Sequence, residues 1–235
     1  MGNVSPILDL AMKTCAIIPC FNTAASVGEI VRKIRSQAID VLVIDDGSTD
    51  STSKEASING ATVLKNQINS GKGASLRKGF DYGLDKDYEA ILTLDGDGQH
   101  LPEDIPVFIK ASLDNPHAQM IIGNRMHRPR EMPRIRQLTN KFMSCLLSLI
   151  AHQNIPDSQN GFRLIKRSIL QQMELNSDRF EIESELIIQA AKKDARIISV
   201  HISSVYRGGP SQINPFRDTL RFIKFLLPYL LGSEN

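Results

Sequence analysis

Five short apolar runs, at residues 14–18, 41–44, 61–64, 91–94 and 120–122, recur through the first half of the chain, with segments of helical period between successive runs at 26–37, 51–58, 74–84 and 101–113. A helix-length segment between consecutive strands forces a crossover rather than a hairpin, so the runs predict a mostly parallel sheet. Their near-continuous apolar character suits strands covered on both faces. The expected fold class is α/β, a single domain with helices on both faces of a central sheet. With 235 residues, of which 41% are hydrophobic, one well-filled core is available. Asp50 or Ser51 is placed to cap the second helix, and Pro102 falls where a first helical turn tolerates it.

The second half is less regular. A basic, proline-containing loop at 124–136 suits a mobile lid, and an apolar helix follows at 138–151. Its apolar stretch, 142–150, is far shorter than the roughly 20 residues that span a bilayer. No internal repeat or linker divides the chain, so the expected organisation is one domain over 1–235, with a nucleotide-binding half at about 14–123, an acceptor half at about 124–214 and a C-terminal amphipathic helix at about 215–231. That last segment joins Arg217, Arg221 and Lys224 to an apolar stripe. Membrane surface, the protein's own core and a second copy in a homo-oligomer are all open to it.

A formal net charge of +2, with no array of basic and aromatic residues, argues against a nucleic-acid partner. Cys15, Cys20 and Cys145 have neither metal-ligand nor disulfide spacing, and no secretory leader is evident at the N-terminus. A cytoplasmic enzyme, peripheral at the inner face of a membrane if its acceptor is a lipid, is the expectation.

The fourth apolar run feeds directly into Asp95, Gly96, Asp97, Gly98, Gln99 and His100. In an extended segment residues i and i+2 point the same way, which would set Asp95 and Asp97 about 6 to 7 Å apart along one face. Two carboxylates and the Gln99 amide make an all-oxygen set suited to Mg²⁺ or Mn²⁺. The expected ligand is a nucleotide diphosphate. The first run ends in Pro19, Cys20, Phe21 and Asn22, and the second in Asp45, Asp46, Gly47 and Ser48. If the strands are parallel, these ends face the same crevice as Asp95, where Asp46 can accept hydrogen bonds from a base or ribose. Asp46 and Asp50 also suit turn and cap roles.

These motifs, together with Asn69-Ser70-Gly71-Lys72-Gly73, Gly123-Asn124-Arg125, the run from Asp157 to Arg163 and Phe180-Glu181-Ile182-Glu183, occur in the order seen in family 2 glycosyltransferases. The chain resembles that family over roughly residues 14 to 207. Within it, the chain is most similar to the dolichyl-phosphate mannosyltransferase-like and polyprenyl-phosphate glycosyltransferase branch. The resemblance implies a GT-A fold and a metal-dependent, inverting transfer from a nucleotide diphosphate sugar, with a polyprenyl phosphate as one acceptor.

Position by position, it places Pro19, Phe21 and Thr23 in the loop around the nucleotide, and Ile44 and Asp46 at its base. Asp95, Gly96, Asp97 and Gln99 fall in the metal and diphosphate segment, and Arg125 at a phosphate, where a guanidinium offers a bidentate fork. Lys72 suits either the diphosphate or a helix start. Asp157 matches an acceptor-side acid: a general base for a hydroxyl acceptor, an orienting group for a phosphate, or a structural partner of Arg163. Asp97 and Asp157 are thus the expected catalytic acids. Glu181, Glu183 and Glu185 also read as an ordinary amphipathic helix start. Near the C-terminus Arg207 matches a basic position of the mannosyltransferase pattern. Gln212 stands where that pattern has Lys, which leaves sugar and acceptor open. Two other classes stay open to the residues alone: a nucleotidyltransferase that makes nucleotide sugars, and a catalytically silent nucleotide-binding module.

Overall fold

The computed structural model describes residues 12–126, 133–203, 222 and 225–229. Its elements in chain order are β1 (Thr14–Cys20), α1 (Ala24–Arg35), β2 (Asp40–Asp45), α2 (Thr52–Ile58), β3 (Thr62–Lys65), α3 (Lys72–Asp85), β4 (Ala90–Thr93), α4 (Ile105–Asp114), β5 (Ala118–Asn124), α5 (Arg134–Ala151), β6 (Arg163–Lys166), α6 (Arg167–Leu170), α7 (Ile182–Lys192) and β7 (Arg196–His201). Pro102 opens a 3₁₀ turn, Pro102–Asp104, that leads into α4.

The strands form one seven-stranded sheet in the order β3-β2-β1-β4-β6-β5-β7. β1 pairs in parallel with β2 and β4, β2 with β3, and β5 with β7. Only β6 runs against its neighbours, β4 and β5. Alternation along each strand feeds two cores. Cys15, Ile17, Leu42, Ile44 and Ile91 face Leu76 and Phe80 of α3, Leu147 of α5 and Leu186 of α7. Ala16, Ile18, Val41, Val43 and Leu92 face Val27, Ile30, Val31 and Ile34 of α1 and Phe108 of α4. Helices therefore cover both faces, as the apolar runs require.

All five expected strands and the helices between them are present, with ends shifted by a few residues. The main correction in the first half is at β4, which stops at Thr93, so Asp95 and Asp97 lie in the following loop and turn rather than on the strand's pleat. Gly98 supplies the positive φ, +77°, that this turn needs. In the second half, the short β6 and the edge strand β7 were not anticipated. Residues 127–132 of the predicted lid, the N-terminal 1–11, and the segment carrying Arg207, Gln212, Arg217 and Arg221 lie outside the described residues, as does Lys224. The C-terminal residues that are described are helical at 225–229, with Phe222 and Leu226 buried in the α3/α5/α7 core and Phe225 and Tyr229 packed against it. Of the three surfaces open to that apolar stripe, these residues use the protein's own core. Among the described residues, no helix is long and apolar enough to cross a membrane.

Candidate active site

The C-terminal ends of β1, β2 and β4 open side by side, the position where an α/β sheet presents ligand-binding loops. Phe21 is exposed at the exit of β1. The next residue, Asn22, adopts φ +54° and is held from both sides: its N–H donates to Ser48 Oγ at 2.9 Å and its side-chain oxygen accepts from the Thr49 N–H at 3.0 Å. Thr23 N–H donates to Thr52 Oγ1. Ser26 Oγ reaches the Gly96 carbonyl at 2.6 Å. Gly96 packs so closely on this loop that a Cβ would lie 2.6 Å from Cys20 Sγ and 3.4 Å from the Pro19 carbonyl oxygen. Pro19, Thr23 and Gly96 thus share one wall, and burial there pushes the Cys20 thiol up to about 12.

The acids after β2 are spent on the loop itself. Asp45 accepts from the Ser48 N–H and from Ser53 Oγ. Asp50 accepts from the N–H groups of Thr52 and Ala24, closing the starts of α2 and α1 together. Asp46 is buried, and its carboxylate accepts from Asn66 Nδ2, Ser70 N–H and Gly71 N–H at 2.8 to 2.9 Å. Asp46 therefore anchors the 66–71 loop, the turn role that stood beside its expected contact with a base. The Ile44 side chain is fully buried in the core, so only the backbone of that position could reach a ligand in the crevice.

At the crevice floor the structure assembles a cluster of charges from four distant segments. Lys72, the first residue of α3, places Nζ 2.5 Å from Asp95 Oδ1 and 2.8 Å from Glu183 Oε1 at the start of α7. Glu183 Oε2 pairs with Arg163 at 2.9 Å. The Arg163 side chain is fully buried and spends its other donors on the carbonyls of Asn160, Ser158 and Glu183. Gly161 backs the cluster: a Cβ there would meet Lys72 Nζ at 2.9 Å and oxygens of Asp95 and Glu183 at 3.1 Å.

Beside them Asp157, also fully buried, receives Arg125 in a bidentate fork, Nε at 2.9 Å and Nη2 at 3.0 Å, and the Arg125 backbone N–H at 3.0 Å. The partner of Asp157 is Arg125, and Arg163 pairs with Glu183, so Arg163 is not the structural partner that stood among the alternatives for Asp157. Burial alone would raise the Asp95 carboxyl, but the Lys72 ammonium, with Arg125 contributing, holds it well below the usual range. His100 accepts the Asp95 N–H at Nδ1 (3.1 Å), which requires that nitrogen to be unprotonated, and its near-complete burial lowers its pKa.

Asp97 is exposed and accepts from both the backbone N–H and the side-chain amide of Gln99, at 2.9 and 2.7 Å. The donor set here is two carboxylates and an amide oxygen, and a cation, the Lys72 ammonium, already stands at Asp95 Oδ1. The donor set fits a hard divalent ion, and Lys72 neutralises part of the set's charge. Among the described residues no three His, Cys, Asp or Glu side chains are grouped to hold a metal by themselves. Water or ligand oxygens would complete the coordination of such an ion.

The expected residues Pro19, Thr23, Lys72, Asp95, Gly96, Asp97, Gln99, Arg125 and Asp157 border this crevice, while Ile44 lies beneath it and Arg207 lies outside the described residues. Glu183, Arg163 and Gly161 were not foreseen as one unit. Glu183 and Glu185, two acids buried within an otherwise apolar helix start, were the available signal. Glu185 accepts from the N–H groups of Asn176 and Ser177, and the carbonyls of Ser177 and Asp178 press on Gly71 and Gly73 at the start of α3.

A family model described as glycosyl transferase family 2 matches residues 15–173. An uncharacterized protein of Methanocaldococcus jannaschii is 34% identical over 205 residues, covering 81% of this chain and 87% of its own length. The UDP-N-acetylglucosamine–dolichyl-phosphate N-acetylglucosaminyltransferase of Methanococcus voltae is 28% identical over 217 residues, covering 81% and 84%. Among solved structures, glucosyl-3-phosphoglycerate synthase of Mycobacterium tuberculosis, in complex with Mn²⁺, UDP and phosphoglyceric acid, superposes with a TM-score of 0.73 at 17% identity over 98% of this chain and 81% of that one. The sheet, its crevice and this likeness show the GT-A fold, and the chain belongs to glycosyl transferase family 2 as a glycosyltransferase.

Proposed function

We propose that this protein is a divalent-metal-dependent, inverting glycosyltransferase that moves a sugar from a nucleoside diphosphate to a polyprenyl phosphate. The observation that carries this reading is the presence of an exposed acid, Asp97, and a half-buried cationic wall, Lys72 and Arg125, in one crevice of a family 2 fold. Asp95, Asp97 and Gln99 would hold Mg²⁺ or Mn²⁺, which when bound neutralises charge on the leaving diphosphate. Pro19, Phe21 and Thr23 form the wall against which the nucleoside would lie.

A phosphate acceptor is favoured over a hydroxyl by the state of Asp157. Both its oxygens are engaged by Arg125, so it is not placed to take a proton, and a phosphate oxygen is already anionic and needs no base. Asp157 instead fixes the Arg125 guanidinium, whose remaining N–H groups can engage an acceptor phosphate. The dolichyl phosphate named for the Methanococcus voltae relative supports the same acceptor class. The UDP and Mn²⁺ in the mycobacterial complex support the donor class.

A thermal-shift panel of UDP, GDP, CDP and their common sugars, with and without Mn²⁺, tests the donor half of this reading, because a ligand of the folded state raises Tm. One nucleotide should stand out, and only with metal. No shift with any of them would contradict it.

A further inference from the structure

The charges at the crevice floor balance. Lys72, Arg125 and Arg163 face Asp95, Asp157 and Glu183, and His100 is neutral, so the exposed Asp97 carries the only uncompensated charge among these side chains. Lys72 is the one cation of the three that touches a proposed metal-binding carboxylate directly, with Glu183 holding it from the other side. Gly161 leaves the space in which that ammonium sits.

We infer that Lys72 is an internal counter-cation that keeps Asp95 from holding a divalent ion firmly on its own, so that metal and donor diphosphate bind as a coupled pair. A divalent ion approaching Asp95 meets an ammonium already seated on Oδ1 and gains only the single net charge of Asp97. A diphosphate brings further negative oxygens to the same place, supplying ligands for the ion and a second partner for Lys72. Each ligand then tightens the other by the same factor. Lys72 acts on the ion through Asp95 and on the diphosphate by charge, and takes no part in bond making or breaking. The inference rests on the proposed metal site, and it adds a claim about the order and coupling of binding that the family assignment does not contain.

The test is Mn²⁺ binding by calorimetry to the full chain, alone and with whichever of UDP or GDP raises Tm in the panel above. Lys72→Met removes the competing charge and should bind Mn²⁺ alone about tenfold tighter than the parent, as expected for one unit charge a few ångströms from a divalent ion. Lys72→Arg keeps the charge and should stay close to the parent. The nucleotide should tighten Mn²⁺ binding strongly in the parent and in Lys72→Arg, and much less in Lys72→Met. Lys72→Gln, a polar neutral replacement, should behave as Lys72→Met and serves if the latter does not fold. A neutral variant of native Tm that binds Mn²⁺ alone no more tightly than the parent would overturn the inference while leaving the metal site standing. Absence of Mn²⁺ uptake by every variant, nucleotide included, would overturn the metal site itself and the inference with it.

Discussion

The two sides of the crevice use their acids differently. On the side of β1 and β2, Asp45, Asp46 and Asp50 accept from backbone N–H groups and small polar side chains a few residues to a few tens of residues away. On the side of α7 and the 157–163 loop, Asp157 and Glu183 are matched to Arg125, Arg163 and Lys72. The first arrangement fixes loop shape through local hydrogen bonds. The second places charge in a dry pocket, where each member depends on its partner. Shape is set on the β1/β2 side and charge on the α7 side, with Asp95 and Lys72 joining them.

The largest effect that would sharpen this contrast is on turnover. Asp97 is exposed and contributes no buried pairing, so Asp97→Ala should leave Tm within about 1 °C of the parent while lowering sugar transfer roughly a thousandfold, equivalent to about 4 kcal/mol of lost transition-state stabilisation. A large drop in Tm would place Asp97 in the structural network instead.

Next comes stability. Asp157→Asn leaves the Arg125 guanidinium without its counter-charge in a buried site and should cost about 3 kcal/mol by denaturant unfolding. Arg125→Met combined with it should cost much less than the two changes separately, because neighbouring charges couple. On the other side, Asp46→Ala strands three donors near water and should cost only about 1 to 2 kcal/mol. If Asp46→Ala were the more damaging change, the division into shape and charge would break.

The smallest effect is with pH. Burial pulls the Asp45 and Asp50 carboxyls upward, but hydrogen bonds from Ser48 and Ser53 to the one, and from Thr52 and Ala24 to the other, hold both below the ordinary carboxylate value. A carboxyl depressed in the folded state binds its proton more readily when unfolded. Its stabilising contribution is therefore complete above about pH 4 and fades as pH falls below that. Asp50→Asn should flatten the decline of Tm over this acid range. An unchanged acid limb would remove the cap from the account.

The same contrast explains what the sequence disclosed. Apolar strands alternating with helices are local patterns, so the first half of the sheet is readable, and Asp95 and Asp97 stand out because they follow the fourth run. Pleat spacing does not apply to them, because β4 ends two residues before Asp95. β6 was hidden because it is four residues long, with Arg163 and Lys166 flanking two apolar residues. Arg163 is a buried charge whose partner Glu183 lies twenty residues on. No local period reports such a pairing. α7 looked amphipathic from its acids, yet every residue from 182 to 188 is buried, acids included, so polarity there marks the site rather than solvent. Motif likeness marked Ile44 near the end of β2, but could not say that its side chain points into the core.

The most direct measurement is transfer of a radiolabelled sugar from the nucleotide selected by thermal shift to undecaprenyl phosphate in detergent micelles, with Mn²⁺ or with EDTA, followed by anomeric analysis of the lipid product. The account predicts a lipid-linked sugar phosphate of inverted configuration that forms with metal and disappears with EDTA. Undiminished transfer in EDTA, or a product with retained configuration, would contradict it.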